Sequence, residues 1–374
     1  MKQGSLLRDY LITSKPTNDG AGKCVWAFAQ RNGREYFVKE FLEPKRPRPE
    51  SMATPETKRL QHAQCAAFER RHRSVIRRID PTDLDAGNLV TAVDFFCEGT
   101  RYYKVTNRLY PANLAAPHRL TPHQKSVLLG TLGDSLRLLH RLDIVHGDLK
   151  PQNVLLHRPP DSDLYTAKLI DFDDAYVSGE PPEHDLIGGD HKYGAPEWFR
   201  YLRGDPAIGG DALTTAVDLF AFGLMLHTYL TGALPDHDPS HTSPGEAVNA
   251  GAELQLDPRL DDRLADAVRA LVAVAPADRP KVNKVLRLLD DRSALALKAD
   301  PAVRRPGRVR ASPNGTSRSA PPQPTAAPQP ATGPQPATGP QPTAAGGDRP
   351  TRLRINLDGR APRSPKRPPE KDEG

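Results

Sequence analysis

Between two apolar ends of strand-like character, "IVHGDLKPQNVLL" (residues 144–156) places His146, Asp148, Lys150 and Asn153 within eight residues. An ionised Asp only accepts hydrogen bonds, an ammonium only donates, and Asn and Asp oxygens suit hard cations. A loop of this composition can therefore hold a hydroxyl, an anion and a metal ion together. An ordinary polar loop looks the same, so its meaning depends on what stands at fixed distances on either side. Upstream, Lys39 lies in the strand-like "EYFVKEF"; downstream, Asp171 follows an apolar run in "KLIDFDDA". Taken singly, a Lys between apolar strand residues is usually a snorkelling surface side chain, and Asp-Phe-Asp-Asp is usually a turn.

The elements that must position these residues are legible on both sides. "CVWAFAQ" and "EYFVKEFL" flank "RNGR", which predicts two strands joined by an Asn-Gly turn. After a Pro-rich loop, Thr54 can cap a helix with Pro55 in its first turn, running to about Ile79. Residues 88–109 predict two more strands across a Glu-Gly turn. "TPHQ" is a Thr-x-x-Gln capping box, followed on one helical face by Leu128, Leu132, Leu136 and Leu139. This helix leads directly into the opening stretch. The apolar segment 213–234 has about the length of a membrane span but carries Asp218 and His227, and a buried core helix is expected.

In this order the chain resembles a protein kinase, of the bacterial serine/threonine type within the eukaryotic-like superfamily. The catalytic-loop signature His-Arg-Asp-Leu-Lys-Pro-x-Asn stands here as His146, Gly147, Asp148, Leu149, Lys150, Pro151, Gln152 and Asn153. Asp171, then Ala195-Pro196-Glu197, Asp218 and Arg279 follow in the family's order, and Lys39 precedes them. The resemblance implies an α+β, bilobal fold: a small antiparallel-sheet lobe (about 10–107) with one main helix and a larger, mostly helical lobe (about 108–292). Together they would form a catalytic domain over residues 1–295. It further implies ATP as phosphate donor with Mg2+, for which Mn2+ could substitute. By resemblance Asp148 is the catalytic base, Lys150 reaches the transferring phosphate, Asn153 and Asp171 hold the metal, and Lys39 holds the α and β phosphates. A carboxylate on the following helix would brace Lys39; Glu56 and Glu69 are the candidates, Glu69 preferred for its mid-helix position beside apolar residues. Glu197 and Arg279 would form a buried ion pair, with Asp218 anchoring the catalytic loop.

Departures from the family pattern bear on function. The phosphate-covering loop has Thr17 and Asp19 where the first two glycines belong and Gly22 in the third place, with Gly20 between. Its "NDGAGK" could still cradle phosphates through backbone amides. Asp173 replaces the Gly of Asp-Phe-Gly, and Gly147 replaces the Arg that in many members pairs with a phosphate on the activation loop. Between Asp171 and Glu197 the only hydroxyls are Tyr176, Ser178 and Tyr193, with Asp190 where a Thr usually stands. An active shape that does not depend on loop phosphorylation is therefore expected. Lys150 follows the serine/threonine pattern, so protein Ser or Thr is the expected acceptor. A small-molecule phosphotransferase of the aminoglycoside or choline kinase type shares "HGDL" and "IDFDDA", and a pseudokinase serving as a binding module would fit the weak glycine loop.

Composition bounds the rest. Cys24, Cys65 and Cys97 are far apart with no CxxC pair, so neither a disulfide framework nor a thiolate zinc site is indicated. No signal peptide or membrane span is read, which fits a reducing cytoplasm. From residue 296 onward there are 14 Lys or Arg against 6 Asp or Glu, or +8, which leaves −2 of the chain's +6 for residues 1–295. That tail, 296–374, holds 17 of the 39 prolines and the repeat "PQPATGPQPATGPQP". It lacks apolar residues for a core and is expected to be disordered. Its Ser and Thr residues are candidate autophosphorylation targets, and a cytoplasmic regulatory partner could dock there. The short island "TRLRINL" reads as a solvated remnant, and nucleic acid is not an expected partner.

Overall fold

Alternation along "EYFVKEF" decides which side of its strand each residue takes: Tyr36, Val38 and Glu40 on one face, Phe37, Lys39 and Phe41 on the other. The computed structural model describes residues 1–20 and 22–299 and shows what each face meets. Strands β1 (Leu6–Leu7), β2 (Tyr10–Ile12), β3 (Cys24–Arg31) and β4 (Arg34–Phe41) come first, with Asn32-Gly33 turning β3 into β4. Helix α1 (Pro55–Arg78) follows, then β5 (Ala92–Glu98) and β6 (Arg101–Asn107). The six strands form one sheet, ordered β1-β2-β3-β4-β6-β5, with every neighbouring pair antiparallel. One face buries Tyr10, Ile12, Ala27, Ala29, Val38 and Val105 among themselves. Cys24, Phe41, Phe95 and Tyr102 on the other face pack against Cys65 and Phe68 of α1. Lys39 belongs to that second face, beside the helix.

The remainder is mostly helical: α2 (Pro122–Arg141), β7 (Ile144–Val145), β8 (Val154–His157), β9 (Thr166–Leu169), β10 (Tyr176–Val177), α3 (Pro196–Leu202), α4 (Ala216–Thr231), α5 (Pro244–Asn249), α6 (Asp262–Leu271) and α7 (Val282–Leu289). The α+β bilobal architecture implied by the sequence is the one observed. Thr54 caps α1 by accepting from the Thr57 amide, and both bonds of the Thr121–Gln124 capping box are made. Leu128, Leu132, Leu136 and Leu139 are all buried. Helix α4 is buried nearly all round and serves as the core of this lobe; among the described residues no helix is long and apolar enough to cross a membrane. The chain stays attached slightly beyond the expected domain end, because the Lys298 amide bonds the Arg259 carbonyl at 2.7 Å. Residues 300–374, most of the tail expected to be disordered, lie outside the described residues.

Candidate active site

Two short antiparallel pairings assemble the site. Register Val154↔Leu169 in β8 and β9 sets Asn153, just before one strand, beside Asp171, just after the other. The Ile170 amide seals the arrangement by donating to the Asn153 carbonyl at 2.9 Å. Val145 pairs with Tyr176, which brings the stretch after Asp171 back beneath the catalytic loop.

The loop itself hangs on Asp218 of α4. That carboxylate is 1% exposed and accepts from the amides of His146 (2.8 Å) and Gly147 (3.1 Å), with His140 Nε2 at 3.2 Å. His146 is buried; its Nδ1 accepts from the Asp148 amide at 3.3 Å, so Nε2 carries the proton and donates to the Ile170 carbonyl at 3.0 Å. Asp148 is then held by two donors. Lys150 Nζ donates to its Oδ1 at 2.9 Å, and Asn153 Nδ2 donates to its Oδ2 at 2.9 Å and to its carbonyl at 2.7 Å. Lys150 also lies 3.4 Å from Asp190. Burial works against the Lys150 ammonium, but Asp148 and Asp190 raise its pKa above the ordinary lysine value.

Lys39 Nζ donates to Asp171 Oδ1 at 2.6 Å and to Asp173 Oδ2 at 2.8 Å. Burial pushes the Asp171 carboxyl up, but Lys39 and Lys104 outweigh it and hold the pKa below the ordinary carboxylate value. Asp171 adopts φ +66°, a left-handed conformation that costs energy in a non-glycine residue and is found at functional sites. Asp174 goes the other way, its carboxyl raised by burial and by the nearby Asp148.

The brace expected of Glu69 is not made. Glu69 accepts from the Tyr102 hydroxyl at 2.6 Å and from Arg46, and Glu56 lies exposed in the first turn of α1. Two residues along a helix is a rotation of about 200°, so a helix that turns Glu69 toward Tyr102 turns Arg71 elsewhere. Arg71 Nη1 donates to the Asp173 carbonyl at 2.7 Å. Sequence reasoning also missed Lys104, which is 6% exposed, stands opposite Lys39 in the β4–β6 register and touches the second oxygen of Asp173. Burial, with Lys39 and Arg71 nearby, pushes its ammonium down to about 7. The alternation of "RYYKVTN", which sets Lys104 on the same face as Tyr102, was the available signal.

Residues 20–288 match the family described as the protein kinase domain. The chain belongs to the protein kinase family. Relatives include a calcium and calcium/calmodulin-dependent serine/threonine-protein kinase of Lilium longiflorum, 26% identical over 178 residues (46% of this chain, 32% of the relative). Two serine/threonine-protein kinases of Myxococcus xanthus also match: pkn3, 27% identical over 235 residues (59% and 39%), and pkn2, 28% over 207 residues (52% and 23%). The chain spans less than half the length of each. Protein kinases use ATP with a divalent metal ion.

In this kinase the donor set suits such an ion. Among the described residues no group of three or more His, Cys, Asp or Glu could hold a metal unaided. Asn153 and Asp171 fit a hard cation whose coordination is completed by phosphate oxygens and water. Because the Asn153 amide nitrogen is committed to Asp148, its oxygen is the atom left for that purpose. Gly20 and Gly22 sit in the turn before β3, where Trp26 Nε1 donates to the Asp19 carbonyl at 3.0 Å and Thr17 pairs with Trp26. Arg279 makes a buried two-pronged pair with Glu197, 2.6 and 2.8 Å, as the kinase resemblance implies.

Proposed function

We propose that this kinase transfers the γ-phosphoryl group of ATP to Ser or Thr hydroxyls of proteins, with Asp148 as the base. The observation that carries this reading is the Asp148 carboxylate held between Lys150 and Asn153 on a loop anchored to buried Asp218. Asp148 Oδ takes the hydroxyl proton as the new O–P bond forms and the bond to the β-phosphate oxygen breaks. Lys150, beside it, offers positive charge to the moving phosphoryl oxygens, and Lys39 takes the α and β phosphates. Asn153 and Asp171 are the ligands for magnesium, which would neutralise charge on the phosphate oxygens when bound. The relatives' printed names support Ser and Thr as acceptors. Glu197, Asp218 and Arg279 favour a protein over a small-molecule acceptor.

We further propose that the active shape needs no loop phosphate. Gly147 has φ +77°, and a Cβ there would stand 2.6 Å from the Asp174 carbonyl, so the loop is packed where an Arg would otherwise begin. A Cβ at Gly188 would collide with the Asp174 carboxylate, so the segment's far side is closely packed as well. Ser and Thr of the tail are proposed as substrates in cis.

The decisive experiment follows label from γ-labelled ATP into the chain and into a generic basic protein, for wild type, Asp148→Asn and Asp171→Asn. Loss of the base should cost about 100-fold or more. Acid-stable label on Ser or Thr that disappears in both variants supports the reading. No label, even with manganese, overturns it in favour of a binding module.

A further inference from the structure

Lys39 and Lys104 face each other across β4 and β6, with their Cα atoms in register. Like charges directly opposite on one sheet face repel, and burial of Lys104 removes the water that would screen them. Something must hold the pair together. Asp173 does so with both oxygens, Oδ2 on Lys39 at 2.8 Å and Oδ1 on Lys104. Its main-chain carbonyl is held by Arg71 of α1, which donates to it at 2.7 Å. Asp171 is the other anion on Lys39, but under the proposed reaction it is committed to the metal. Once that happens, Asp173 is the carboxylate left between two ammonium groups.

We propose that Asp173 is the positioning residue for Lys39, so that the carboxylate bracing this lysine comes from the Asp-Phe-Asp turn while the helix contributes Arg71. The inference rests on the kinase reading, because it assigns Lys39 a nucleotide phosphate to meet. Glycine in this turn would leave Lys39 and Lys104 unbridged. The helix carboxylate Glu69 is occupied elsewhere, with Tyr102 and Arg46. Substitution at 173 and the charge at 104 are therefore coupled through Lys39.

The test is a titration of a fluorescent ATP analogue with magnesium, read as binding and therefore independent of phosphate transfer. Asp173→Asn removes the carboxylate that Lys39 and Lys104 share and should weaken nucleotide binding about 10-fold or more, the scale of losing one charged hydrogen-bond partner. Asp173→Glu should retain most of the affinity. In the double variant Asp173→Asn/Lys104→Met the repelling charge is gone, and much of the loss should be recovered. Thermal melts of each variant confirm folding. Wild-type affinity in Asp173→Asn, or a double variant no better than the single, would overturn the inference. So would a wild type that does not bind nucleotide, which would also remove the kinase reading. Binding that follows the expected pattern without phosphate transfer would sustain the inference and remove only the transfer reaction.

Discussion

Gly147 is the single residue at which the proposed independence from loop phosphorylation can be tested. Its positive φ and the Asp174 carbonyl 2.6 Å from a would-be Cβ make glycine the residue that fits. Gly147→Arg introduces the Arg of the catalytic-loop signature that the sequence resembles, yet it should not confer control by phosphorylation. It should lower stability by on the order of 2 kcal/mol, through backbone strain and displacement of the Asp174 segment, and lower phosphate incorporation with it. Denaturant midpoints and labelling rates measure both effects. Higher activity in Gly147→Arg after loop phosphorylation, or a wild type silenced by phosphatase and restored by autophosphorylation, would show that the active shape does depend on a phosphate. At this same scale the sequence was most informative. Of the residues assigned to chemistry, Asp148, Lys150 and Asn153 share one short loop, while Lys39 and Asp171 lie in or just after a strand whose register follows from alternation, so their meeting was legible. Asp173 was noticed as an intruder, but its partners Lys104, Arg71 and Lys39 lie 69, 102 and 134 residues away in other elements, and no local pattern encodes that distance.

Helix α1 illustrates what could not be read at the level of elements. Its cap and length follow from Thr54-Pro55 and from the absence of breakers, whereas its orientation does not. Only Cys65, His72 and Val75 are buried along it, a thin stripe on a helix rich in Arg and Lys; Glu69 does face the sheet, but its partner there is Tyr102 rather than Lys39, a choice no local pattern encodes. Strands β1 and β2 escaped for a related reason: two and three residues are too short to show alternation. The buried face of α1 makes its own prediction. His72 is stacked on Phe95 at 5.0 Å and lies 4.1 Å from Phe68, with Nε2 lacking a partner among the described residues, and burial holds its pKa well below the ordinary 6.5. The unfolded chain takes up a proton at His72 as pH falls through about 6.5, and the folded chain does not, so stability is lost on acidification. The loss from this group should approach about 1.4 kcal/mol per pH unit below 6.5. His72→Phe should remove it while leaving stability at pH 8 equal or higher. Urea midpoints of both proteins at pH 7.5 and 5.5 give the difference directly, and parallel pH dependences would exclude His72 as the source.

Charge is divided unequally over the whole molecule: −2 on residues 1–295 and +8 on the remainder, which also carries Ser312, Thr316, Ser317, Ser319, Thr325, Thr332, Thr338, Thr343, Thr351 and Ser364. The catalytic side is itself acidic where a substrate hydroxyl would arrive, with Asp148, Asp190 and Asp174 around Lys150. If the tail is the acceptor, as proposed, a basic segment on the same chain would meet such a site at an effective concentration that a separate protein reaches only near the millimolar range. Phosphorylation would then lower the tail's net positive charge by nearly two per site and weaken that attraction, so incorporation should slow after the first few phosphates. Two results are expected. A chain ending at Ala299, which keeps the Lys298 contacts, should lose most incorporated label yet still phosphorylate an added basic protein at a comparable rate. In the full chain, label per molecule should rise at a rate independent of protein concentration, because donor site and acceptor are joined. A truncated chain that labels itself as fully as the intact one would place the acceptor hydroxyls within residues 1–299, and a rate proportional to concentration would make the reaction one between two chains.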